Sequence, residues 1–412
     1  MEKLIIKNVG PIEIVDINLS RVNVFMGPQS SGKSTIAKII SYCQWVEKRF
    51  LIDGEYKYNA EEQLLEFHRI GNSYFNTESF FQYSSDFVII SYSGKDLKQT
   101  ITPKKTNKVY KKTKNIYIPS ERNFVSAIPN LNRYNETNDN IMSFVYDWYS
   151  SKRAFTNKNT LSILNLGIKY YNNIDSDLDV LKLSNNKEIL LQEGSSGLQS
   201  IIPLVLIAEY LSKEIYKNNQ AASVRELDSA KKNILRLFEH YKHIKNDNIE
   251  NSQNTINEAE DFIRFLKYSN NNFNSIINYH KTKFIIEEPE QNLFPTTQRD
   301  LVNYLFRTIV NNRKKHSLII TTHSPYILYS INNCLMGYNI KNELEKDDIE
   351  SFKNIKSWIN PDEVSIYEVK EGKLISVKDD RTRTVTKHYF NEITKDIMDE
   401  YYNMLSFFSY EG

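Results

Sequence analysis

The first 26 residues fall into three short runs, KLIIKNV, IEIVDINL and RVNVFM, each rich in isoleucine and valine and divided by turn-formers, which predicts three β-strands. The pattern breaks at GPQSSGKST, after which TIAKIISYCQWVEK carries its apolar residues at helical spacing. The succession is strand, loop, helix.

Residues 50–115 alternate less clearly, although DFVIISYSGKDLKQTITP predicts a hairpin around Ser93, Gly94 and Lys95. KNIYIPSER reads as a strand ending in polar residues, and DNIMSFVYDWYSSKRAF has helical spacing. A second hairpin, LDVLKLSNNKEILLQEGSSG, leads into GSSGLQSIIPLVLIAEYLSKEIY, a helix opened by small polar residues. The stretch from 212 to 279 is polar and mostly helical in pattern, with the break NDNIENSQNT, and reads as an insertion. KFIIEEPEQNLFP then gives a strand, TQRDLVNYLFRTIVNNRKK a helix and HSLIITTHSP another strand. The tail holds a hairpin, EVSIYEVKEGKLISVKD, and a final helix, NEITKDIMDEYYNML. There is no internal repeat and no heptad run long enough for an extended coiled coil.

Composition narrows the class. The chain has 412 residues, 40% of them apolar and 25% charged, with a formal net charge of +2. A globular protein with an ample core is expected, and any nucleic-acid or membrane partner would have to be met by a local patch. Two cysteines, Cys43 and Cys334, are too few for a disulfide framework or a zinc site, which predicts a reduced environment. The N-terminus lacks the features of a signal peptide, and the longest apolar run, SIIPLVLIAEYL, is short of the ~20 residues that span a bilayer. A cytoplasmic protein without a membrane partner is the expectation.

The strongest chemical signal is the run from Gly27 to Thr35, which fits the G-x-x-x-x-G-K-S/T phosphate loop with a strand leading in and a helix leading out. Glycines let such a loop turn its N–H groups inward on phosphate oxygens. Lys33 would reach the β- and γ-phosphates, Ser34 would place its hydroxyl on Mg²⁺, and the helix N-terminus adds positive potential. A phosphate-loop enzyme also needs carboxylates for the metal and for the attacking water, and two stand together at the end of a buried strand, Glu287 and Glu288. Successive strand residues face opposite ways, so Glu287 would face the metal and Glu288 the water. Two solvated acids at a strand end are the plainer alternative, which the preceding Phe284, Ile285 and Ile286 argue against.

Ser195, Ser196 and Gly197 open a helix and could receive an anion, although alone they read as an ordinary serine cap. The G-x-S-x-G spacing of a nucleophile elbow is absent there. His323 leaves the end of an apolar strand, where a polar cap is the commoner role, and beside a phosphate loop it becomes a candidate contact for the γ-phosphate or the attacking water.

Taken in order, GPQSSGKST, SSGLQ, FIIEEPE and TTHSP resemble the Walker A, signature, Walker B and switch-histidine motifs of ABC-type ATPases. The N-terminal stretch is most similar to the branch that holds the SMC, RecF and overcoming-lysogenization-defect (OLD-like) ATPases. The resemblance implies an α/β fold: an ABC-type P-loop core with a mixed sheet and an antiparallel β subdomain, a helical insertion and a small α+β C-terminal region. It divides the chain into 1–211 (Walker A and signature), 212–283 (insertion), 284–335 (Walker B and switch histidine) and 336–412 (extension).

The implied cofactors are ATP and Mg²⁺, with Gly27, Ser30, Ser31, Gly32, Lys33, Ser34 and Thr35 around the nucleotide, Ser34 and Glu287 at the metal, and Glu288 and His323 in catalysis. Ser195, Ser196 and Gly197 of one copy would close on ATP held by another, in a homodimer or higher oligomer. Two departures stand out: Glu287 sits where the family usually has aspartate, and EQNLFP is nearer the OLD-like branch than transporters. IYIPSER is expected near the nucleotide through Ser120, Glu121 or Arg122. The tail is too short for a Toprim nuclease, so the implied effector is a separately encoded protein, as in anti-phage systems, meeting the insertion and the tail.

Two basic runs, KKTNKVYKKTK at 104–114 and NNRKKH at 311–316, read first as a solvated charge run and as a cationic helix end. DNA tracked along its phosphates by the first run is the alternative.

Overall fold

The computed structural model describes residues 2–54, 59–128, 139–217, 275, 278–386 and 388–408. Nearly all of the expected helical insertion lies outside the described residues.

Each hydrophobic run identified in the sequence forms a strand or helix. β1 (Glu2–Val9), β2 (Ile12–Leu19) and β3 (Val22–Met26) precede α1 (Lys33–Asp53), and α2 (Ala60–His68) follows. β4 (Phe80–Ser84), β5 (Val88–Ser93) and β6 (Lys98–Pro103) form an antiparallel meander, and β7 (Thr113–Ile118) ends at the PSER segment. After α3 (Asn140–Lys152), a separate antiparallel sheet is built from β8 (Leu161–Ile163), β9 (Ile168–Asn173), β10 (Leu178–Lys182) and β11 (Glu188–Leu190), and it feeds α4 (Ser196–Ser212). β12 (Lys281–Glu287), α5 (Pro295–Leu305), β13 (Ser317–Thr322) and α6 (Pro325–Ile340) come next. β14 (Val364–Lys370), β15 (Lys373–Ser376) and α7 (Tyr389–Leu405) complete the described chain.

Among the described residues, eleven strands make one mixed sheet in the order β6-β5-β4-β1-β2-β15-β14-β3-β13-β12-β7. The segment from β14 through β3, β13 and β12 to β7 is parallel, and β1, β2, β4, β5 and β6 pair antiparallel. The tail hairpin is therefore part of the main sheet, with β14 hydrogen-bonded directly to β3, the strand that leads into the phosphate loop.

Burial is nearly continuous along β3, β12 and β13, as a sheet covered on both faces requires, and successive side chains enter opposite cores. Phe284 and Ile286 of β12 join α4, α5 and α6 in one core, and Ile285 joins α1 in the other, with Phe25, Tyr117 and Ile319. Cys43 and Cys334 are buried free thiols. Among the described residues no helix is long and apolar enough to cross a membrane.

Candidate nucleotide site

β3, β13 and β12 run side by side and parallel, so their C-terminal ends open on one edge of the sheet. Met26 lies opposite Thr322, and Thr321 opposite Glu287. The segments leaving these strands, GPQSSGKST, EEPE and HSP, thus converge although they are far apart in sequence. Ligands of open α/β sheets bind at this edge.

The phosphate loop depends on left-handed backbone: φ is 145° at Gly27, 58° at Ser30 and 104° at Gly32. A Cβ on Gly27 would stand 2.6 Å from the Val369 carbonyl oxygen of β14, and one on Gly32 would stand 2.4 Å from the Ile12 side chain. Gly32 caps α1 without a side chain, so no side chain occupies the N–H groups of the first turn. Ser34 is half-buried and Thr35 buried in that turn. Lys33 Nζ donates to the Gly27 carbonyl at 2.9 Å, the Pro28 carbonyl at 2.6 Å and Ser31 Oγ at 3.3 Å. Burial pulls its ammonium down to about 8, and the charges of Glu288 and Glu290 act in the opposite direction.

Glu287 ends β12 and is buried, and its Oε1 has no hydrogen-bond partner among the described residues. Burial and then the charge of Glu287 push the neighbouring Tyr117 phenol well up, so it stays protonated. An orphaned carboxylate oxygen beside a phosphate loop, with the Ser34 hydroxyl on the adjoining helix, fits a divalent cation. No cluster of three or more His, Cys, Asp or Glu suited to a metal occurs among the described residues. An ion here must complete its shell with phosphate oxygens and water, the usual arrangement for Mg²⁺.

Glu288 lies past the end of the strand at φ 42°, with its N–H donating to the Thr321 carbonyl at 2.9 Å. A left-handed turn, rather than strand alternation, is what separates the two glutamates. The Glu288 Oε1 is 3.3 Å from His323 Nε2. That contact holds the Glu288 carboxyl below its ordinary value against partial burial, with Lys33 and Arg122 contributing. Glu288, His323 and Lys33 therefore form one electrostatic unit.

Two residues given lesser or no roles from the sequence hold this unit in place. Glu290 is the third acid of EEPE, and its carboxylate accepts from the His323 N–H at 2.6 Å and the Thr322 hydroxyl at 2.9 Å. Burial raises its pKa, and these donors oppose the rise. Arg122 is completely buried and, among the described residues, donates only to carbonyls: Glu287 at 2.9 Å, Glu288 at 2.8 Å, Pro289 at 3.2 Å, Pro119 at 3.3 Å and Ser200 at 3.2 Å. Burial lowers its pKa to about 10, with Glu290 first among the acids that counter this. IYIPSER thus reaches the site from beneath: Arg122 pins the backbone that carries Glu288. Ser120 Oγ, by contrast, donates to Glu121 at 3.0 Å. The only sequence signal for Arg122 is a strand ending in polar residues, because all of its acceptors are backbone atoms.

Ser195 and Ser196 are exposed at the start of α4, and Ser195 Oγ accepts from Leu198 N–H at 3.4 Å. No hydrogen bond among the described residues joins Ser195, Ser196 or Gly197 to the phosphate loop. They meet instead the loop after Glu290: a Cβ on Gly197 would lie 2.9 Å from the Asn292 carbonyl oxygen, and Asn292 Nδ2 donates to Ser200 Oγ at 3.0 Å. Arg122 bonds Ser200 from the other side, so α4 and the Glu288 loop are tied at two points.

The fold is α/β, with a large mixed sheet and a separate small antiparallel sheet, and the edge of the large sheet carries a phosphate-loop motif beside a pair of acids. Residues 262–328, which include EEPE and TTHSP, match the profile of the AAA ATPase domain family. No curated protein matches the chain. Among solved structures, the chain is similar to the SMC head domain from Thermotoga maritima, with 10% identity over 80% of this chain and 90% of that one, at a TM-score of 0.35. An Smc head domain with an extended coiled coil, bound to the C-terminal domain of ScpA and derived from Pyrococcus furiosus, gives 10% identity over 97% and 99%, at 0.37. The recombination mediator protein RecF gives 11% over 91% and 97%, at 0.28.

Proposed function

We propose that this chain binds and hydrolyses ATP at the site formed by Gly27 to Thr35, Glu288 and His323, and that ATP clamps two copies together. The observation that carries the reading is the pairing of Glu288 with His323 beside Lys33, at the open ends of three adjacent strands. Glu288 is ionised and partly exposed, as a general base for water requires. His323 orients that carboxylate and donates toward the γ-phosphate, while Glu290 fixes the backbone of His323. Lys33 exchanges the Gly27 and Pro28 carbonyls for phosphate oxygens when the nucleotide enters. Glu287 and Ser34 would hold Mg²⁺, which when bound offsets the negative charge of the phosphates.

In this reading the exposed Ser195 and Ser196, with Gly197, reach the γ-phosphate of ATP held by a second copy. Turnover then separates the pair, and the chain works as a conformational switch. The switch acts on a separately encoded effector protein or on DNA, with anti-phage defence as the proposed setting. The tail supports a protein partner: Ile397, Tyr401, Met404 and Phe408 on and just beyond α7 are 61%, 52%, 60% and 65% exposed, an apolar surface of the kind that marks interaction sites. Hydrolysis of ATP by the wild type and Lys33→Ala tests the enzyme claim. The wild type should turn over with Mg²⁺ and the variant should not; equal rates would refute it.

A further inference from the structure

At the edge of the sheet opposite the nucleotide site, a cavity of about 920 Å³ opens between the N-terminal ends of β12 and β13, the β2–β3 turn, the β4–β5 turn and the segment before β7. Among the described residues, eight lysines and arginines line it against three carboxylates. The carboxylates are already engaged: Glu2 and Glu47 lie 2.8 and 3.8 Å from Lys283, and Asp86 lies 2.7 Å from Lys108. Lys281 on the wall, and Lys111, Arg313 and Lys315 at the lip, form no ion pair among the described residues. The two basic runs, far apart in sequence, thus supply cations to one recess.

The recess also has an unspent polar group. His280 Nε2 is buried without a hydrogen-bond partner among the described residues. Burial, then Lys111 and Lys314, push the His280 imidazole down, which places it in a positive field. Lys281 is lowered by burial and by Lys283 in the same way. Unpaired cations crowded into a partly buried space repel one another, and an anion relieves that cost.

We infer that this cavity is a second ligand site, distinct from the phosphate loop, and that it takes a small molecule bearing two or more phosphates. Separate cations on the wall and around the lip suit a ligand with spaced negative groups better than a single carboxylate. Phe87 and Tyr110, packed edge to face with ring centroids 5.5 Å apart, add an aromatic surface suited to a base. The volume falls within the roughly 300–1,000 Å³ of small-molecule sites. A recess closed by strand ends on several sides suits a compact ligand rather than the track of a long duplex.

The inference does not rest on ATP hydrolysis, so the test is made on a chain whose phosphate loop has lost its lysine. The full-length chain carrying Lys33→Ala is titrated calorimetrically with inorganic tripolyphosphate and, separately, with a short blunt DNA duplex. One tripolyphosphate per chain is expected, weakened tenfold or more by adding Arg313→Glu with Lys315→Glu, at an unchanged melting temperature. Lys111→Glu, on a different part of the lip, should weaken binding in the same direction and serves if the double variant fails to fold. Absence of tripolyphosphate binding, equal binding by the charge-reversed chains, or binding of the duplex alone would each overturn the proposal.

Discussion

Glu288 is flanked by His323, Lys33 and Arg122, all of which favour its ionised form. Its proton is therefore lost below the ordinary carboxylate pH, and the acid limb of the hydrolysis profile should lie correspondingly low. His323→Ala removes the largest of these influences, so that limb should move to higher pH as well as the maximal rate falling. A pH–rate profile with the limb unmoved would separate His323 from Glu288. Lys33 behaves in the opposite sense. With its ammonium near 8 in the free chain, ATP meets a charged lysine below that pH and a neutral one above it. Affinity should thus weaken above pH 8 by up to about tenfold per unit, because binding must restore the proton. Direct titration with a non-hydrolysable nucleotide at pH 7, 8 and 9 checks this, and a flat response would mean that Lys33 stays charged throughout.

At the scale of elements, the most consequential group is Arg122, which joins the β7 end to the Glu288 loop and to α4. Arg122→Ala leaves buried carbonyls without donors and should destabilise the fold by about 3 kcal/mol. Thermal melting measures that, and Arg122→Lys should fall between the two because it restores charge without the planar fan of donors. Gly197→Ala should act more locally: its methyl would press on the Asn292 carbonyl, displacing the start of α4 while leaving nucleotide binding at Lys33 intact. The same elements show what the sequence made legible. Glycines that require left-handed backbone, a lysine at fixed spacing and acids at the end of an apolar strand leave local signatures, and those signatures made Gly27 to Thr35, Glu288 and His323 the candidates that the fold brings to one edge of the sheet. Arg122 and Glu290 act on backbone atoms of distant segments, and backbone acceptors have no spelling in the sequence. The tail hairpin was readable as a hairpin, but its alternation carries no information about which strand it joins. Only the fold reveals that β14 runs beside β3 and presses the Val369 carbonyl against Gly27.

For the whole molecule, the central proposal is that the nucleotide site is completed by a second copy. Within one chain, Ser195 and Ser196 are exposed and do not bond to the phosphate loop, while Arg122 and Asn292 link their helix to the loop that carries Glu288. Each chain would then read one ATP through Glu288 and the other through α4, which couples the two sites mechanically. Glu288→Gln keeps the shape of the base and removes its function, so hydrolysis should drop at least about a hundredfold while ATP still binds. That variant isolates the clamped state. The most direct measurement is its mass by light scattering, with and without Mg²⁺ and ATP. A dimer should form with ATP and be lost when Lys33→Ala is added. A Glu288→Gln chain that binds ATP and keeps the same mass with and without it would refute completion of the site by a second copy.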